Sequence, residues 1–339
     1  MAYQSTSAIK SVIDLNDTTS TIKWRLTDAC NYRCSYCVRA YLARAKQDVQ
    51  QLKDDWTRCK KAAPAVNRII NAMPGTVKID LIGGEVSLYN LEELLVEITS
   101  PKLIRINITT NLSRPADYYI RLIKYCRERN ILLGLTASFH SEYETLPRFF
   151  QKAQSIRKES AGALIFTLEM VSRTENQEQV KLFIKKCEFY EFDYLVEKDI
   201  KNGRQNDSLI KCAKKRTNAR YKIIYSDNSV RFYYSRNDFI TLKDKEHQDG
   251  LGFKTKGFYC YRDVNYTYID RDQHMGKLRI APDNPQAEKC LNLCPIEQFT
   301  PLKEPTICQS QACTLCGHIT VSKERLPEIE KPASEQQQK

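Results

Sequence analysis

Along its first two hundred residues the chain keeps switching between two hydrophobic periods. TIKWRLT (21–27) alternates apolar and polar positions and is rich in β-formers, which predicts a strand. A long, mostly helical stretch is expected from there to about residue 73, with Pro64 kinking it or opening a new helix. KIDLIGG (78–84) then reads as a strand, LEELLVEIT as a helix and IRINITTN (104–111) as a third strand. PADYYIRLIKYCRERN has helical spacing and LLGLTASFH (132–140) is strand-like. LPRFFQKAQSIRKES and LIFTLEMVS (164–172), then ENQEQVKLFIKKCEFY and FDYLVEKDI (192–200), repeat the sequence of helix and strand. Six such units imply an α/β fold with a parallel sheet covered by helices on its outer face. Right-handed crossovers repeated six times curl that sheet towards a partial (β/α)6 TIM-like barrel.

After residue 220 the rhythm is lost. YKIIYSDNSVRFYY holds two β-rich runs around Ser-Asp-Asn-Ser and predicts a hairpin. NYTYIDRDQHMGKLRI reads as a second hairpin, with Gly276 at its turn. The expected organisation is an N-terminal extension (1–20), the barrel (21–215), a small cysteine-rich α+β domain (216–321) and a disordered tail (322–339) whose polar, low-complexity SKERLPEIEKPASEQQQK cannot build a core.

Composition narrows the setting. The 339 residues are 42% hydrophobic and 28% charged, ordinary for a globular protein. No run reaches the ~18 apolar residues of a membrane span, and MAYQSTSAIKSVIDLNDTTS is too polar and acidic for a secretory signal, so a cytoplasmic protein without a membrane partner is expected. Thirteen cysteines in a reducing compartment point to metal rather than to disulfides. The net charge of +12 is partly local: residues 198–222 hold nine Lys or Arg against two Asp. That run suits a solvated face or a dock for an acidic partner.

The densest chemistry is DACNYRCSYC (28–37), where Cys30, Cys34 and Cys37 are spaced CxxxCxxC. The barrel reading puts this loop after the first strand, on the face where such folds carry their chemistry. Three thiolates at that spacing suit three irons of a [4Fe–4S] cube, and the fourth iron stays open. An incomplete protein ligand set is what separates a catalytic metal site from a structural one.

CNYRCSYC, led in by IKWRLT and followed by Gly83-Gly84-Glu85 after the second strand, resembles the radical S-adenosylmethionine enzymes over roughly residues 20–200. The resemblance implies that Cys30, Cys34 and Cys37 ligate the cube and that its open iron chelates S-adenosylmethionine. It further implies that Glu85 meets the methionyl ammonium, that Gly83 and Gly84 let the backbone approach the ligand, and that Tyr36 covers the adenine. Asn111 and Ser138 would bond the ribose or carboxylate, or simply cap strand ends. A flavodoxin- or ferredoxin-type reductant is implied as electron source. No side chain is singled out as the catalytic partner of the substrate.

Six further cysteines, Cys260, Cys290, Cys294, Cys308, Cys313 and Cys316, lie towards the C-terminus. GFYCYRDVNYTYIDRDQHMGKLRI resembles the start of a SPASM or twitch domain, and PTICQSQACTLCG its end. The family's cysteine five residues after the turn glycine is Ala281 here, so Cys290 or Cys294 replaces it, or Cys308 completes the set. Four of the six would hold one auxiliary [4Fe–4S] cluster; the rival is structural zinc, with His318 as a possible ligand. Cys59, Cys126, Cys187 and Cys212 read as small buried or unremarkable residues, and His140 as structural or facing the cavity.

For the substrate, the basic run favours an acidic, ribosomally made peptide, to be epimerised, crosslinked or oxidised. The short stretch before the first strand leaves no room for a leader-binding winged helix. A small molecule or nucleotide is the second reading. A zinc-stapled nucleic-acid-binding protein is a third, and the lack of an aromatic RNA-binding signature counts against it.

Overall fold

A computed structural model describes residues 9–14, 19–37, 49–160 and 164–198, and beyond them the short segments 221–225, 230–233, 259–260, 266–269, 294–303, 306–307 and 323–324. Its elements run β1 (Ile9–Asp14), β2 (Ser20–Thr27), α1 (Val49–Ala72), β3 (Val77–Gly83), α2 (Leu91–Glu97), β4 (Leu103–Thr110) and α3 (Ala116–Glu128). There follow β5 (Leu132–Phe139), α4 (Leu146–Glu159), β6 (Leu164–Ser172), α5 (Gln177–Phe189) and β7 (Asp193–Lys198). The remaining strands are β8 (Tyr221–Tyr225), β9 (Val230–Tyr233), β10 (Tyr259–Cys260), β11 (Tyr266–Ile269), β12 (Thr306–Ile307) and β13 (Lys323–Glu324).

Strands β2 to β7 lie side by side in sequence order and pair parallel throughout, each followed or preceded by its helix. This is the α/β sheet that the alternating periods predict, consistent with a partial TIM-like barrel. Period 2 sorts every strand into two faces. Ile22, Trp24 and Leu26 of β2, Ile79 and Leu81 of β3, Ile106 and Ile108 of β4, and Leu133 and Leu135 of β5 are buried against the helices. The helices answer with Val66, Ile69, Ile70, Tyr119, Phe149, Phe150 and Phe183. Residues between them on the strands, such as Lys23, Arg25, Asp80, Asn107 and Glu169, turn to the inner face and are only half-buried.

Three features bear on the expected elements. Helix α1 runs unbroken through Pro64, which it tolerates because Pro64 and Lys60, whose carbonyl loses its helical donor, are both on the exposed side. The cysteine stretch 28–37 is a loop, as the barrel reading has it. Its N–H groups are taken by side chains elsewhere, with Arg33 N donating to the Tyr143 hydroxyl (2.8 Å) and Ser35 N to Glu142 (2.9 Å), so no helical ladder forms.

The third is β11. Of the run 265–280, expected as a hairpin, only 266–269 is described, and this strand pairs parallel with β2, Tyr266 opposite Thr21 and Ile269 opposite Trp24. It makes the sheet seven-stranded, β11-β2-β3-β4-β5-β6-β7, and covers the edge that β2 would otherwise present. The hairpin expected from 221–234 is present as β8 and β9, antiparallel with Tyr221 opposite Tyr233. β8 also pairs with β1, and the second sheet has the order β13-β1-β8-β9. Segment 294–303 lies against α1, where Arg68 donates to the carbonyls of Ile296 (2.9 Å) and Phe299 (3.1 Å) and both side chains are buried. Cys290, Cys308, Cys313 and Cys316, and the expected tail 322–339 apart from Lys323–Glu324, fall outside the described residues.

The sharpest energetic contrast is on α5. Phe183 is fully buried among Phe139, Phe150 and Tyr194, whereas its neighbour Leu182 is exposed. Phe183→Ala should lower unfolding free energy by about 3–5 kcal/mol through the lost ring and the cavity left behind. Leu182→Ala should stay within about 0.5 kcal/mol. Urea unfolding followed by circular dichroism checks both, and equal effects would contradict this packing.

Candidate active site

The cysteine loop leaves β2 at its C-terminal end and is sewn at once to the end of β3. Gly84 N donates to Thr27 O (2.9 Å) and Glu85 N to Ala29 O (2.8 Å). A Cβ on Gly84 would stand 2.0 Å from Ala29 O, and one on Gly83 would stand 2.4 Å from Thr27 O. Two glycines are therefore needed for the loop's own backbone to lie this close. Beneath the loop, Thr27 Oγ1 donates to Asp55 Oδ2 (2.9 Å) and accepts from Tyr89 OH (3.0 Å) and Ala29 N (3.0 Å). Asp55 is buried on α1 and also pairs with Arg58, which lets a carboxylate sit there.

Glu85 is only 1% exposed and joins three strands' ends. Its Oε1 accepts from Ser87 N (2.9 Å) and Thr110 Oγ1 (2.7 Å), and its Oε2 from Asn111 N (2.6 Å). Burial raises its proton affinity and these donors oppose the rise. Asn111 continues the chain of contacts, its Nδ2 donating to Asn31 Oδ1 (2.9 Å) and lying 4.0 Å from Cys30 Sγ. Cys30, Glu85 and Asn111, from three separate sequence regions, thus meet at one edge of the sheet.

From the other side the loop after β5 straps the cysteines down. His140 Nδ1 lies 3.2 Å from Cys34 Sγ and 2.8 Å from Tyr36 OH. Glu142 accepts from the backbone and hydroxyl of Ser35 and from Arg173 Nη1 (2.8 Å). Tyr143 stacks on Tyr32 at 4.5 Å, and the Arg173 guanidinium lies 5.0 Å over the Tyr36 ring. Although burial alone would raise the Glu142 carboxyl, its Ser35 and Arg173 partners hold it below the usual range. Glu142, Tyr143 and Arg173 went unnoticed in the sequence. The signal available was a polar and aromatic run, FHSEYE, starting where a strand ends on the same edge as the cysteines.

The three thiols are of unequal exposure, Cys34 buried and Cys30 and Cys37 half-buried. Burial pushes Cys30 up to about 11 and Cys34 up to about 12, and the charge of each neighbouring thiolate adds to the rise. Ionising Cys30 and Cys34 together therefore calls for a cationic group beside them. Among the described residues no three His, Cys, Asp or Glu side chains converge as a single ion would require. A cube takes its thiolates at separate corners and needs no common point, so this donor set fits an iron–sulfur cluster. Ser138, on the inner face of β5, donates to Glu169 Oε2 (3.2 Å). Cys59, Cys126 and Cys187 are buried among helices, as expected of small apolar residues, with Cys59 donating to Leu26 O (3.4 Å). Of the C-terminal set, Cys294 is half-buried against the core beside α1. Cys260 belongs to β10 and only its backbone is described, while Cys290, Cys308, Cys313 and Cys316 lie outside the described residues.

The glycine pair supplies a direct test of this construction. Gly84→Ala should force the loop off the end of β3 and cut iron retained after anaerobic reconstitution at least several-fold, while far-ultraviolet circular dichroism stays at the parent's value. Iron loading equal to the parent's would show that the close approach is dispensable.

No helix among the described residues is long and apolar enough to cross a membrane. The model of the Radical SAM superfamily matches residues 24–186. An S-adenosylmethionine-dependent nucleotide dehydratase of Psychrobacter lutiphocae (strain DSM 21542 / CCUG 56590 / IMMIB L-1110) is 28% identical over 107 residues, 30% of this chain and 36% of that protein. The chain thus spans about a third of the length of that relative. The span matched by the superfamily begins in β2 and ends in α5, and it contains the cysteine loop, the glycine pair with Glu85, Asn111, Ser138 and the strap. Over residues 24–186 the chain is similar to the Radical SAM superfamily.

Proposed function

We propose that Cys30, Cys34 and Cys37 hold a [4Fe–4S] cube, that Glu85, Asn111, Tyr36 and Ser138 hold S-adenosylmethionine beside it, and that the substrate is a phosphate-bearing small molecule of the nucleotide class. When bound, the cluster and S-adenosylmethionine supply a 5′-deoxyadenosyl radical that abstracts a hydrogen atom. The protein's part is to place the substrate and keep other hydrogen donors away.

The observation that carries the substrate class is the sign of charge on the inner face. Lys23 and Arg25 of β2, Lys78 of β3 and Arg105 of β4 all belong to the half-buried set that turns away from the helices. Lys78 and Arg105 are register partners. Arg25 is paired with Asp28, and Asp80 is engaged by Asn107 Nδ2 (2.5 Å), which in turn accepts from Arg105 Nε (2.7 Å). Gly134 opposite keeps the space open, since a Cβ there would stand 2.2 Å from Asn107 Oδ1. Across the sheet the polar groups change to Thr136, Ser138, Thr167 and the carboxylate of Glu169. Cations at one side and hydroxyl-binding groups at the other suit a phosphorylated sugar, and a ribonucleotide in particular. The relative's name points the same way. A peptide substrate rests on the basic run 198–222, and residues 199–220 lie outside the described part.

The same reading gives the chain an auxiliary [4Fe–4S] cluster on four of Cys260, Cys290, Cys294, Cys308, Cys313 and Cys316, zinc being the rival metal. It divides the chain into a barrel of 21–215 and a cysteine-rich domain of 216–321, uses a flavodoxin- or ferredoxin-type reductant and places the protein in the cytoplasm. Anaerobically reconstituted protein should be brown and hold roughly eight irons, falling to about four when Cys30, Cys34 and Cys37 are replaced by Ala. That variant should form no 5′-deoxyadenosine. Persistent cleavage would remove the cluster from these cysteines. Glu85→Gln, which keeps the shape and removes the charge, should weaken S-adenosylmethionine binding about 10- to 100-fold, as losing one charge-assisted bond of about 1.5–3 kcal/mol would.

The inner face is tested with the four ribonucleoside triphosphates as probes in calorimetry. At least one should bind the parent, and Lys78→Ala with Arg105→Ala should weaken it about 100-fold or more, while 5′-deoxyadenosine formation without substrate is unchanged. Failure of all four to bind, or equal binding by the double variant, would overturn the nucleotide reading.

A further inference from the structure

We propose that His140 and Tyr36 set the reduction potential of the cluster by hydrogen-bonding the sulfur of Cys34. This rests on the assignment of the cluster to the cysteine loop. His140 Nδ1 stands 3.2 Å from Cys34 Sγ and 2.8 Å from Tyr36 OH, so one ring nitrogen meets both the sulfur and the phenol. A ligating thiolate carries no proton and can only accept. A neutral imidazole protonated at Nδ1 then donates to the sulfur, with the phenol oxygen of Tyr36 beside it as a second polar partner. Each donor to a cluster sulfur stabilises the reduced and more negative state, which raises the potential.

What makes this contact specific is how little freedom the donors have. The His140 and Tyr36 rings are nearly parallel, 12° apart with centroids at 6.0 Å. Tyr32 packs its edge against the same imidazole at 5.7 Å and is itself stacked on Tyr143. The far face of Tyr36 is covered by Arg173, which Glu142 fixes by an ion pair. Cys30, by contrast, meets a backbone donor, Tyr32 N at 3.4 Å, and the Asn111 amide at 4.0 Å. The imidazole contact is particular to Cys34 among the bonds described for Cys30 and Cys34. His140 acts through Cys34 and is a positioning residue, with no contact to the reacting atoms required.

The test is a potentiometric titration of anaerobically reconstituted full-length protein, reading the reduced-cluster electron paramagnetic resonance signal that changes when S-adenosylmethionine is added. His140→Leu should load as much iron as the parent and titrate at a clearly more negative midpoint. His140→Asn, whose Nδ2 can stand where Nδ1 stood, should return most of the shift. Tyr36→Phe should move the midpoint the same way by less. Should His140→Leu fail to load iron, Tyr36→Phe, which removes one hydroxyl, decides the matter. Midpoints equal to the parent's in fully loaded His140→Leu or Tyr36→Phe would overturn the inference and leave the cluster assignment standing. A parent protein that assembles no cluster with this signal would overturn both.

Discussion

Everything at the candidate site depends on two backbone hydrogen bonds between the end of β3 and the start of the cysteine loop, Gly84 N to Thr27 O and Glu85 N to Ala29 O. They extend the β2–β3 pairing beyond the regular strands, and they bring peptide groups so close that no side chain fits at Gly84. The loop can then stay irregular for ten residues and still be held, because its first turn continues a sheet. The same bonds deliver the Glu85 carboxylate to the end of β4, where Thr110 and Asn111 satisfy it. One local constraint therefore fixes both the thiols and the carboxylate.

The loop is held from both sides by unlike means. On the β3–β4 side the contacts are backbone bonds and a buried polar network running through Thr27, Asp55, Tyr89 and Glu85, where each group has a partner. On the β5–β6 side they are aromatic faces and charge, with Tyr32 on Tyr143, Tyr36 against His140 and Arg173, and Ser35 on Glu142. The first arrangement resists displacement because buried donors and acceptors would be orphaned. The second sits nearer to water and adjusts more readily, which suits the face that admits ligands.

The two sheet faces divide the labour between folding and chemistry. Aromatic and branched side chains of alternate residues bury against five helices, and Trp24, Phe150 and Phe183 carry much of that core. The intervening residues line the inner face, basic on β2 to β4 and hydroxyl-bearing and acidic on β5 and β6, and several bond one another across the strands. A parallel sheet covered by helices on one side leaves that freedom, since the inner positions pack against no helix.

The sequence by itself determined the six β/α units, because periods of 2 and 3.6 are local properties that each segment carries alone. It also determined that three thiols share one loop and that Gly-Gly-acid ends the second strand. What only tertiary structure decided are the contacts between segments far apart in the chain. The pairing of β11 with β2 joins residues some 245 positions apart, and four residues of alternating pattern cannot announce whether they will be a hairpin limb or a sheet edge. The role of the glycines against Ala29, and the meeting of His140, Glu142 and Tyr143 with the cysteine loop, likewise follow from the order of strands. Parallel crossovers bring every loop after a strand to the same edge, and only the folded sheet states which of those loops touch.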